Sequence, residues 1–256
     1  IPYPAFLPRF KRERGPAQHC NHQYSGGSAI CGHRLVSANG VPDERGTHQQ
    51  LCNVGGGVDR RHNSLRDWLK AWLLNVCHVP WADHEQHVPE WDEWVPAKDP
   101  TTGALLFRTV QTAAGPVQEQ VMDLHQGVLD VAFDDDDGTR AYVDVAYTNA
   151  TTTDAAKTLR AARTAGKAAS EREEDKRKRY KPERNPHAEL IPFVVEARGR
   201  LGAEVLPFLR QHAPAEEPLR SAALARATRE LSIITQRGLA SLLLAAEPRP
   251  VAARVA

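Results

Sequence analysis

Apolar residues recur with helical periodicity in a stretch that begins after Asn63. They occur every three or four positions and would form one continuous stripe along a helix: Leu65, Trp68, Leu69, Trp72, Leu73 and Val76. Such a stripe is typical of a helix that packs its apolar side into a protein core. Asn63 or Ser64 is the predicted N-cap, and Asp67 is favourable near the positive end of the helix dipole.

Three further helices are predicted downstream. The first runs from Asp154, its predicted cap, to about Lys181, because Pro182 cannot continue it. It carries a narrow face of small residues that would pack on a sheet: Leu159, Ala162, Gly166 and Ala169. The other two helices are expected over 203–211 and 218–247, with Gly238 as the position where the longer one would break.

Segments with the composition of strands lie between these helices. Apolar and alternating runs cover 105–110 and 118–124, and a largely apolar run covers 189–197. The sequences GVLDVAF and TRAYVDVAYTN flank the turn DDDDG, which predicts an antiparallel hairpin within 127–149. The order of elements predicts an α/β protein with a mixed sheet.

Each strand of this hairpin carries one aspartate among apolar residues, Asp130 in the first and Asp144 in the second. A desolvated carboxylate is costly unless a cation or hydrogen bonds compensate it. Carboxylates on adjacent strands could share one ion, and with Glu85 as a third ligand they are the hard oxygen donors that Mg²⁺ prefers. The alternative is structural, with both aspartates paired to arginines or capping helices.

A Mg²⁺ at this place would lower the pKa of a bound water and neutralise charge on a phosphodiester under attack. A nearby lysine would orient the water and stabilise the added charge. Lys176 is the first choice for that lysine, and Lys167 and Lys178 are the next candidates. Tyr180 lies one helical turn beyond Lys176 and is a candidate for phosphate contact or base stacking.

The segment 19–62 is rich in Gly, His and Cys and has almost no periodic apolar pattern. Such a segment cannot bury enough apolar surface to fold alone, so we expect a bound ion to stabilise its fold. His48 and Cys52 are spaced as a pair that grips zinc from one turn or helix start. Cys31, with Cys20 or a neighbouring histidine, would complete a tetrahedral set. The candidate ligands are Cys20, His22, Cys31, His33, His48 and Cys52, and the preferred four are Cys20, Cys31, His48 and Cys52. The alternative is a loop with scattered histidines and buried thiols.

Charge is unevenly distributed along the 256 residues, although the formal net charge is only +1. Lys and Arg concentrate in 157–181, whereas 83–93 and 134–137 are acidic. Phosphate contacts are expected from the following side chains: Arg60, Arg61, His62, Arg172, Arg177, Lys178, Arg179 and Tyr180. Such binding should weaken steeply with salt. The alternatives are local capping or pairing by the first three, and a solvated face for the charged helix.

No apolar run approaches the roughly 18 residues that a membrane span needs, and the chain begins without a signal-peptide pattern. There are four cysteines, three of them among histidines, which favours a reducing, intracellular location over a disulfide framework. Because the first residue is Ile1, we expect the sequence to be a piece of a longer protein.

The short motifs of this chain follow one another in a recognisable order. They are Cys31-Gly32, His48-x-x-x-Cys52, a glycine-rich link, Arg61-His62-Asn63, Glu85, Leu129-Asp130-Val131, Asp144-Val145-Ala146, Lys176-x-x-x-Tyr180, Pro192-Phe193, Glu196, Gly199 and Gly202. Over roughly 19–205 this order resembles the C-terminal region of non-LTR retrotransposon polyproteins, where a Cys-Cys-His-Cys zinc knuckle precedes a restriction-like endonuclease of the PD-(D/E)XK class. Leu129 and Ala146 stand where that class usually has Pro and Lys, so Lys176 would supply the lysine from the following helix.

The resemblance implies a restriction-endonuclease-like mixed sheet flanked by helices. The implied division is a linker over 1–18, a zinc-knuckle-like segment over 19–63, the endonuclease domain over 64–213 and a helical tail over 214–256. The implied activity is Mg²⁺-dependent nicking of target DNA, whose released 3′ end primes reverse transcription of the element RNA. The implied partners are the DNA target, the element RNA and an upstream reverse transcriptase domain, and the implied location is the nucleus.

Two other functions are compatible with the sequence. The first is a catalytically inactive nucleic-acid-binding module of a decayed retroelement, which keeps the zinc segment and the basic helix. The second is an unrelated intracellular interaction protein with an α/β core. Cleavage of DNA separates the endonuclease from the inactive module, and zinc content separates the interaction protein from both.

Overall fold

Eight strands and five α-helices lie within the part of the chain that the computed structural model describes. That part comprises residues 20, 31, 32, 48, 50, 52–135, 137–152 and 154–245. The smaller of two compact units contains 1–61 and 236–256, and the larger contains 62–235. The predicted linker over 1–18 and the candidate ligands His22 and His33 lie outside the described residues.

The elements have the following bounds. The strands are β1 (Ala82–His87), β2 (Glu93–Pro96), β3 (Phe107–Thr112), β4 (Gly115–Gln120), β5 (Met122–His125), β6 (Val128–Asp134), β7 (Arg140–Thr148) and β8 (Ala188–Glu196). The helices are α1 (Gly57–Asn75), α2 (Ala155–Arg163), α3 (Lys167–Arg179), α4 (Val205–His212) and α5 (Leu219–Ala245). Short 3₁₀ turns cover Pro89–Trp91 and Pro182–Arg184.

Four strands of the larger unit form one sheet in the order β1-β6-β7-β8. β6 pairs antiparallel with β1 and with β7, whereas β7 and β8 run parallel. A parallel pair needs a long crossover connection, and here the crossover contains α2 and α3. The predicted mixed sheet, the hairpin of β6 and β7 and the strand near 189–197 are therefore confirmed.

One face of the sheet belongs to a buried cluster that also includes α1, α4 and the first part of α5. Alternate strand positions contribute to it, because successive side chains of a strand point to opposite faces. The principal members are Leu65, Leu69, Trp72, Leu73, Val131, Phe133, Val143, Val145, Phe193, Val195, Phe208, Leu209 and Leu231. Full burial of each such side chain contributes about 1.5–3 kcal/mol. The apolar stripe predicted for α1 is thus confirmed as core.

The opposite face of the sheet carries α3. Ala146 of β7 and Val194 of β8 pack against Ala169 of α3, and the small size of these side chains allows close approach of helix and sheet. By the alternation of side chains, Asp130 and Asp144 belong to this α3 face. The fold therefore places both strand aspartates beside the basic helix.

Helix α1 begins earlier than predicted, at Gly57. The two preceding glycines, Gly55 and Gly56, have left-handed φ angles of 82° and 64° and end the helix on that side. The prediction that Asn63 or Ser64 caps the helix is wrong, because the chain between Gly57 and Asn63 contains no helix breaker.

The helix predicted over 154–181 is two helices. Asp154 is confirmed as the N-cap of α2, since its Oδ1 accepts hydrogen bonds from Ala156 N–H at 2.8 Å and Lys157 N–H at 3.1 Å. The chain then leaves the helix, and Gly166 adopts a left-handed φ of 78° before α3 begins. The predicted packing of Leu159 on the sheet is wrong, because 51% of this residue is exposed.

Strands β2 to β5 lie outside the four-stranded sheet, and α5 is the last helix. The strand predicted over 105–110 corresponds to β3, and the one predicted over 118–124 is divided between β4 and β5. β2 pairs with β5 and β3 with β4, which gives two separate two-stranded sheets. α5 continues through Gly238 without a break. No helix among the described residues has the length and apolar character needed to cross a membrane.

Candidate functional site

The two strand aspartates lie side by side where β6 and β7 stop pairing. The last regular pair at this end is Val131↔Val143, so the register continued by one residue sets Asp130 opposite Asp144. Asp130 Oδ2 accepts a hydrogen bond from Val145 N–H at 2.7 Å and thereby takes the place of a backbone acceptor. The two carboxyl groups are close enough for each to shift the pKa of the other. The carboxylates of Asp130 and Asp144 therefore lie next to each other, as predicted.

Lys176 of α3 completes this group, which we call the acid–lysine site (Asp130, Asp144 and Lys176). Its Nζ lies 2.6 Å from Asp144 Oδ2. Only 13% of the lysine side chain and 5% of the aspartate side chain are exposed, so the ion pair is shielded from solvent. The alternatives Lys167 and Lys178 pair instead with glutamates of their own helix. Of the three predicted lysines, Lys176 is the one in contact with an aspartate.

His62 of α1 contacts the same site, although the sequence suggested a phosphate contact. Its Nε2 lies 2.7 Å from Asp130 Oδ1. An ionised carboxylate only accepts hydrogen bonds, so Nε2 is the donor. The Arg61-His62-Asn63 motif identified this residue, but a contact across 68 positions of sequence is visible only in the fold. His62 therefore orients Asp130 in this structure.

The two aspartates differ in their affinity for protons. Burial raises the pKa of Asp144 to about 6, even though the Lys176 ammonium lowers it, and the neighbouring Asp130 adds to the rise. Burial also acts to raise the pKa of Asp130, but hydrogen bonds from His62 and Val145 N–H outweigh it and hold that pKa below its ordinary value. Catalytic sites often contain two neighbouring carboxylates whose environments give them different pKa values.

The structure does not bring Glu85 into the acid–lysine site. The pairs His84↔Val131 and Gln86↔Leu129 leave Glu85 opposite Asp130, but its left-handed φ of 52° interrupts the strand. Its carboxylate forms an ion pair with Arg66, and 65% of the side chain is exposed. Among the described residues, Glu85 and the two aspartates do not form a group within metal-ligand distance.

Tyr180 occupies the core and not the surface. Only 4% of the residue is exposed. Its ring lies 5.6 Å from that of Trp91, and its hydroxyl lies 3.5 Å from the carbonyl oxygen of Val128. A side chain buried in this way cannot stack on a base, so we replace the predicted nucleic-acid contact with a role in holding the end of α3 against the sheet.

Most of the other predicted phosphate-binding residues have partners within the protein. Arg177 pairs with Glu204, and Lys178 lies 2.7 Å from Glu174. Arg179 donates to the carbonyl oxygen of Gln126 at 3.0 Å. Arg172 is exposed. Arg177 and Arg179 thus attach α3 to its surroundings, whereas Lys178 pairs within the helix.

Arg60 and Arg61, two neighbouring arginines of the smaller unit, differ in exposure. Arg60 is exposed and donates from Nη1 to the carbonyl oxygen of Gly55 at 2.8 Å. Arg61 is only 6% exposed, and its stem packs so closely on Gly238 that a Cβ there would lie 2.5 Å from Arg61 Cγ. Arg61 is therefore a packing residue of α1, whereas the Arg60 side chain is exposed.

A second contact sets the position of α3 and hence of Lys176. Glu173 lies three residues earlier on the helix, is only 5% exposed, and accepts a hydrogen bond from Glu204 N–H at 3.3 Å. Gly202 makes room for this carboxylate, because a Cβ at that position would lie 2.1 Å from Glu173 Oε1 and 2.9 Å from Val194 O. The glycine thus lets the start of α4 approach α3.

Gly202→Ala should destabilise the larger unit by about 1–3 kcal/mol, because the added methyl overpacks this contact. The measurement is urea unfolding of the parent and the variant. In a Glu173→Ala background the cost of Gly202→Ala should shrink, since the nearest clash is gone, and the coupling free energy should exceed about 0.5 kcal/mol. Equal costs in both backgrounds would contradict the assigned contact.

The smaller unit contains a separate group of metal-ligating side chains, formed by Cys20, Cys31, His48 and Cys52. One ligand atom of each lies within 4.8 Å of the others. Cys20 Sγ is 3.9 Å from Cys52 Sγ, and Cys31 Sγ is 3.3 Å from His48 Nε2. Ligands of a tetrahedral zinc would be separated by roughly 3.5–3.8 Å, given bonds of about 2.0–2.3 Å. The group could therefore bind a metal such as zinc.

The chemistry of these four residues fits that assignment. Each described cysteine is a free thiol, so no disulfide removes a ligand. Gly32, with a left-handed φ of 67°, donates its N–H to the carbonyl oxygen of Cys20 at 3.0 Å and turns the chain beside Cys31. Burial raises the pKa of the Cys52 thiol, whereas a bound metal would favour its thiolate.

Comparison with known proteins assigns no family to this chain. No protein-family model matches it, and no curated protein matches it. The function is therefore argued from two local arrangements of its own residues, the acid–lysine site of the larger unit and the Cys/His group of the smaller one.

Proposed function

We propose that the larger unit is a Mg²⁺-dependent DNA endonuclease with a restriction-endonuclease-like fold. The observation that carries this proposal is the meeting of Asp130, Asp144 and Lys176 from β6, β7 and α3 in one shielded cluster. A pair of carboxylates can hold a divalent cation that activates water, and a lysine beside it can stabilise the charge that develops on an attacked phosphodiester.

The donor set fits a hard divalent cation. Mg²⁺ is usually bound by one or two carboxylates and keeps several waters, and here Asp130 and Asp144 are the two carboxylates that would hold it. Each carboxylate oxygen has two lone pairs, so the hydrogen bonds from His62 and Val145 leave acceptor capacity on Asp130. When bound, the ion would supply an activated water and neutralise charge on the phosphate.

The protein's own groups prepare the site for this chemistry. His62 and Val145 N–H hold Asp130 in one orientation. Lys176 holds Asp144 and brings one positive charge to a buried place, where it attracts the scissile phosphate and orients the attacking water. Ala146 is 4% exposed and packed against α3, so Lys176 takes the role that a lysine two residues after Asp144 has elsewhere in the class.

We further propose that this nuclease belongs to a non-LTR retrotransposon polyprotein acting in the nucleus. The support is the order of motifs in the sequence together with the Cys/His group, which we propose binds Zn²⁺. In that setting the enzyme nicks target DNA, and the released 3′ end primes copying of element RNA by a reverse transcriptase encoded upstream. Four of the predicted phosphate-binding residues are exposed: Arg60, Arg172, Arg177 and Lys178.

Incubation of the chain with supercoiled plasmid and Mg²⁺ should produce open circles, with a rate that rises with pH and levels off above about 6. Below its raised pKa of about 6, Asp144 carries a proton and cannot hold the cation, whereas Asp130 stays ionised. The rate should therefore fall by up to about tenfold for each pH unit below 6. Duplex affinity measured in parallel separates loss of cleavage from loss of binding.

Two results would contradict this proposal. A chain that binds duplex but produces no open circles with Mg²⁺ would be the catalytically inactive binding module. At Mg²⁺ concentrations well below saturation, where protons compete with the cation for Asp144, a nicking rate that does not change between pH 5 and pH 7 would mean that Asp144 does not have to be ionised for cleavage.

A further inference from the structure

Helix α2, over Ala155–Arg163, is a cationic element that stands apart from the core. It contains three basic residues and no acidic one, and none of its residues is buried. Asp154 caps its first turn by accepting hydrogen bonds from the N–H groups of Ala156 and Lys157. An ordered helix with so little burial and one sign of charge is suited to a charged partner.

The basic side chains of α2 form fewer ion pairs than those of α3. Within the described residues, Lys157 and Arg163 make no salt bridge, and both are exposed. Arg160 lies 3.5 Å from Glu171 of α3, with 51% of its side chain exposed. On α3, by contrast, Lys176 and Lys178 are engaged by carboxylates.

The contact between Arg160 and Glu171 also places α2 near the proposed cleavage site. Glu171 lies five residues before Lys176 on α3, which corresponds to about 7.5 Å along the helix axis. A duplex held at the acid–lysine site extends well beyond that distance, because each strand carries a phosphate about every 3.4 Å along the axis.

We propose that α2 is a DNA-gripping helix, whose Lys157, Arg160 and Arg163 bind duplex phosphates beside the acid–lysine site. The choice of duplex DNA as partner rests on the proposed function. An anionic membrane surface is less suited to this helix, because surface-binding helices insert a broad apolar face, whereas α2 exposes one large apolar side chain, Leu159.

The test uses the full chain and the triple variant Lys157→Gln, Arg160→Gln, Arg163→Gln. The matched control is Lys98→Gln, Arg210→Gln, Arg229→Gln, which removes three exposed cations elsewhere in the larger unit. The affinity of each protein for a 30-base-pair duplex is measured from about 0.05 to 0.3 M salt. Since none of these residues is buried, thermal unfolding should be unchanged in both variants.

For the α2 variant we expect about 10- to 100-fold weaker duplex binding near 0.1 M salt. The slope of log affinity against log salt should be shallower by about 2–3, because each lost phosphate contact removes about 0.9 from it. The control should keep the larger part of the parent's affinity and slope. Equal losses in both variants would overturn the proposal, because net charge and not α2 would then set the affinity.

Two other results would also overturn it. One is duplex binding by the α2 variant that equals that of the parent. The other is α2-dependent binding to vesicles containing phosphatidylserine, with duplex binding unaffected. Failure of the proposed function is distinguishable, because a parent that nicks nothing yet loses duplex affinity with the α2 substitutions would refute the nuclease and support the DNA-gripping helix.

Discussion

Replacement of Lys176 by glutamine should lower the rate of Mg²⁺-dependent nicking by about 10²–10³-fold, the cost of losing one preorganised charge in an active site. The Nζ that lies 2.6 Å from Asp144 disappears, and with it the positive charge that stabilises the attacked phosphate. The substitution also leaves Asp144 buried without its cation, so the pKa of that carboxyl should rise further. The measurement is single-turnover nicking of a labelled duplex at pH 8, at saturating Mg²⁺.

Lys178→Gln is the matched control for this prediction. Lys178 lies on the same helix, but 68% of its side chain is exposed and it pairs with Glu174. Exposed pairs of this kind contribute at most about 1 kcal/mol, so nicking by Lys178→Gln should stay within about fivefold of the parent. Equal loss in both variants would indicate that α3 contributes only general positive charge.

Removal of the metal from the Cys/His group should unfold the smaller unit locally. Folding of a zinc-dependent segment draws on a metal-binding free energy of about 10–16 kcal/mol. Among the described residues, the apolar cluster at this group consists of the buried Cys20 and Cys52 with the partly buried Cys31 and Val54. We expect the purified chain to carry about one zinc, and Cys52→Ser to carry far less and to unfold at lower temperature. The measurements are elemental analysis and thermal unfolding.

Cys77→Ser provides the control for zinc binding. Cys77 forms no disulfide and lies outside the Cys/His group. This variant should keep the zinc content of the parent. A parent without zinc, or a Cys52→Ser variant with the same zinc content as the parent, would contradict the assignment of the four ligands.

The two strand aspartates could be identified from the sequence because a charged residue within an apolar strand is recognisable from its immediate neighbours. Asp130 and Asp144 stood out against the apolar residues of their own strands, and the turn between them defined the pairing. The meeting of the two side chains follows from the alternation of a hairpin. The Cys/His group was found for a similar reason, since a segment without an apolar pattern needs another source of stability.

The partners of long side chains could not be predicted in the same way. A basic residue on a helix can pair with any carboxylate or carbonyl group that the fold brings near it. In α3, Arg177 pairs with Glu204 and Arg179 with the backbone of Gln126. The partner of His62 could not be predicted for the same reason: a phosphate contact was expected, and the structure shows a hydrogen bond to Asp130. Tyr180 was misplaced because an aromatic residue at the end of a charged helix can face either the core or the solvent.

Backbone conformation at single residues accounts for two further differences between the predicted and the observed structure. The left-handed Gly166 divides the predicted long helix and frees α2 from the sheet. The left-handed Glu85 interrupts β1 at the position opposite Asp130 and leaves its own side chain with Arg66. Neither conformation is encoded by hydrophobic periodicity, which reports only which faces of an element are buried.

The central claim is that Asp130 and Asp144 together hold the cation that cleaves DNA, and nicking by Asp144→Asn tests it most directly. Asparagine keeps the shape of the side chain and removes its charge. With supercoiled plasmid at pH 8 and saturating Mg²⁺, we expect a rate about 10³-fold or more below that of the parent, because several kcal/mol of transition-state stabilisation are lost. Duplex affinity, which depends on other residues, should be retained. Nicking by Asp144→Asn at the rate of the parent would contradict the claim.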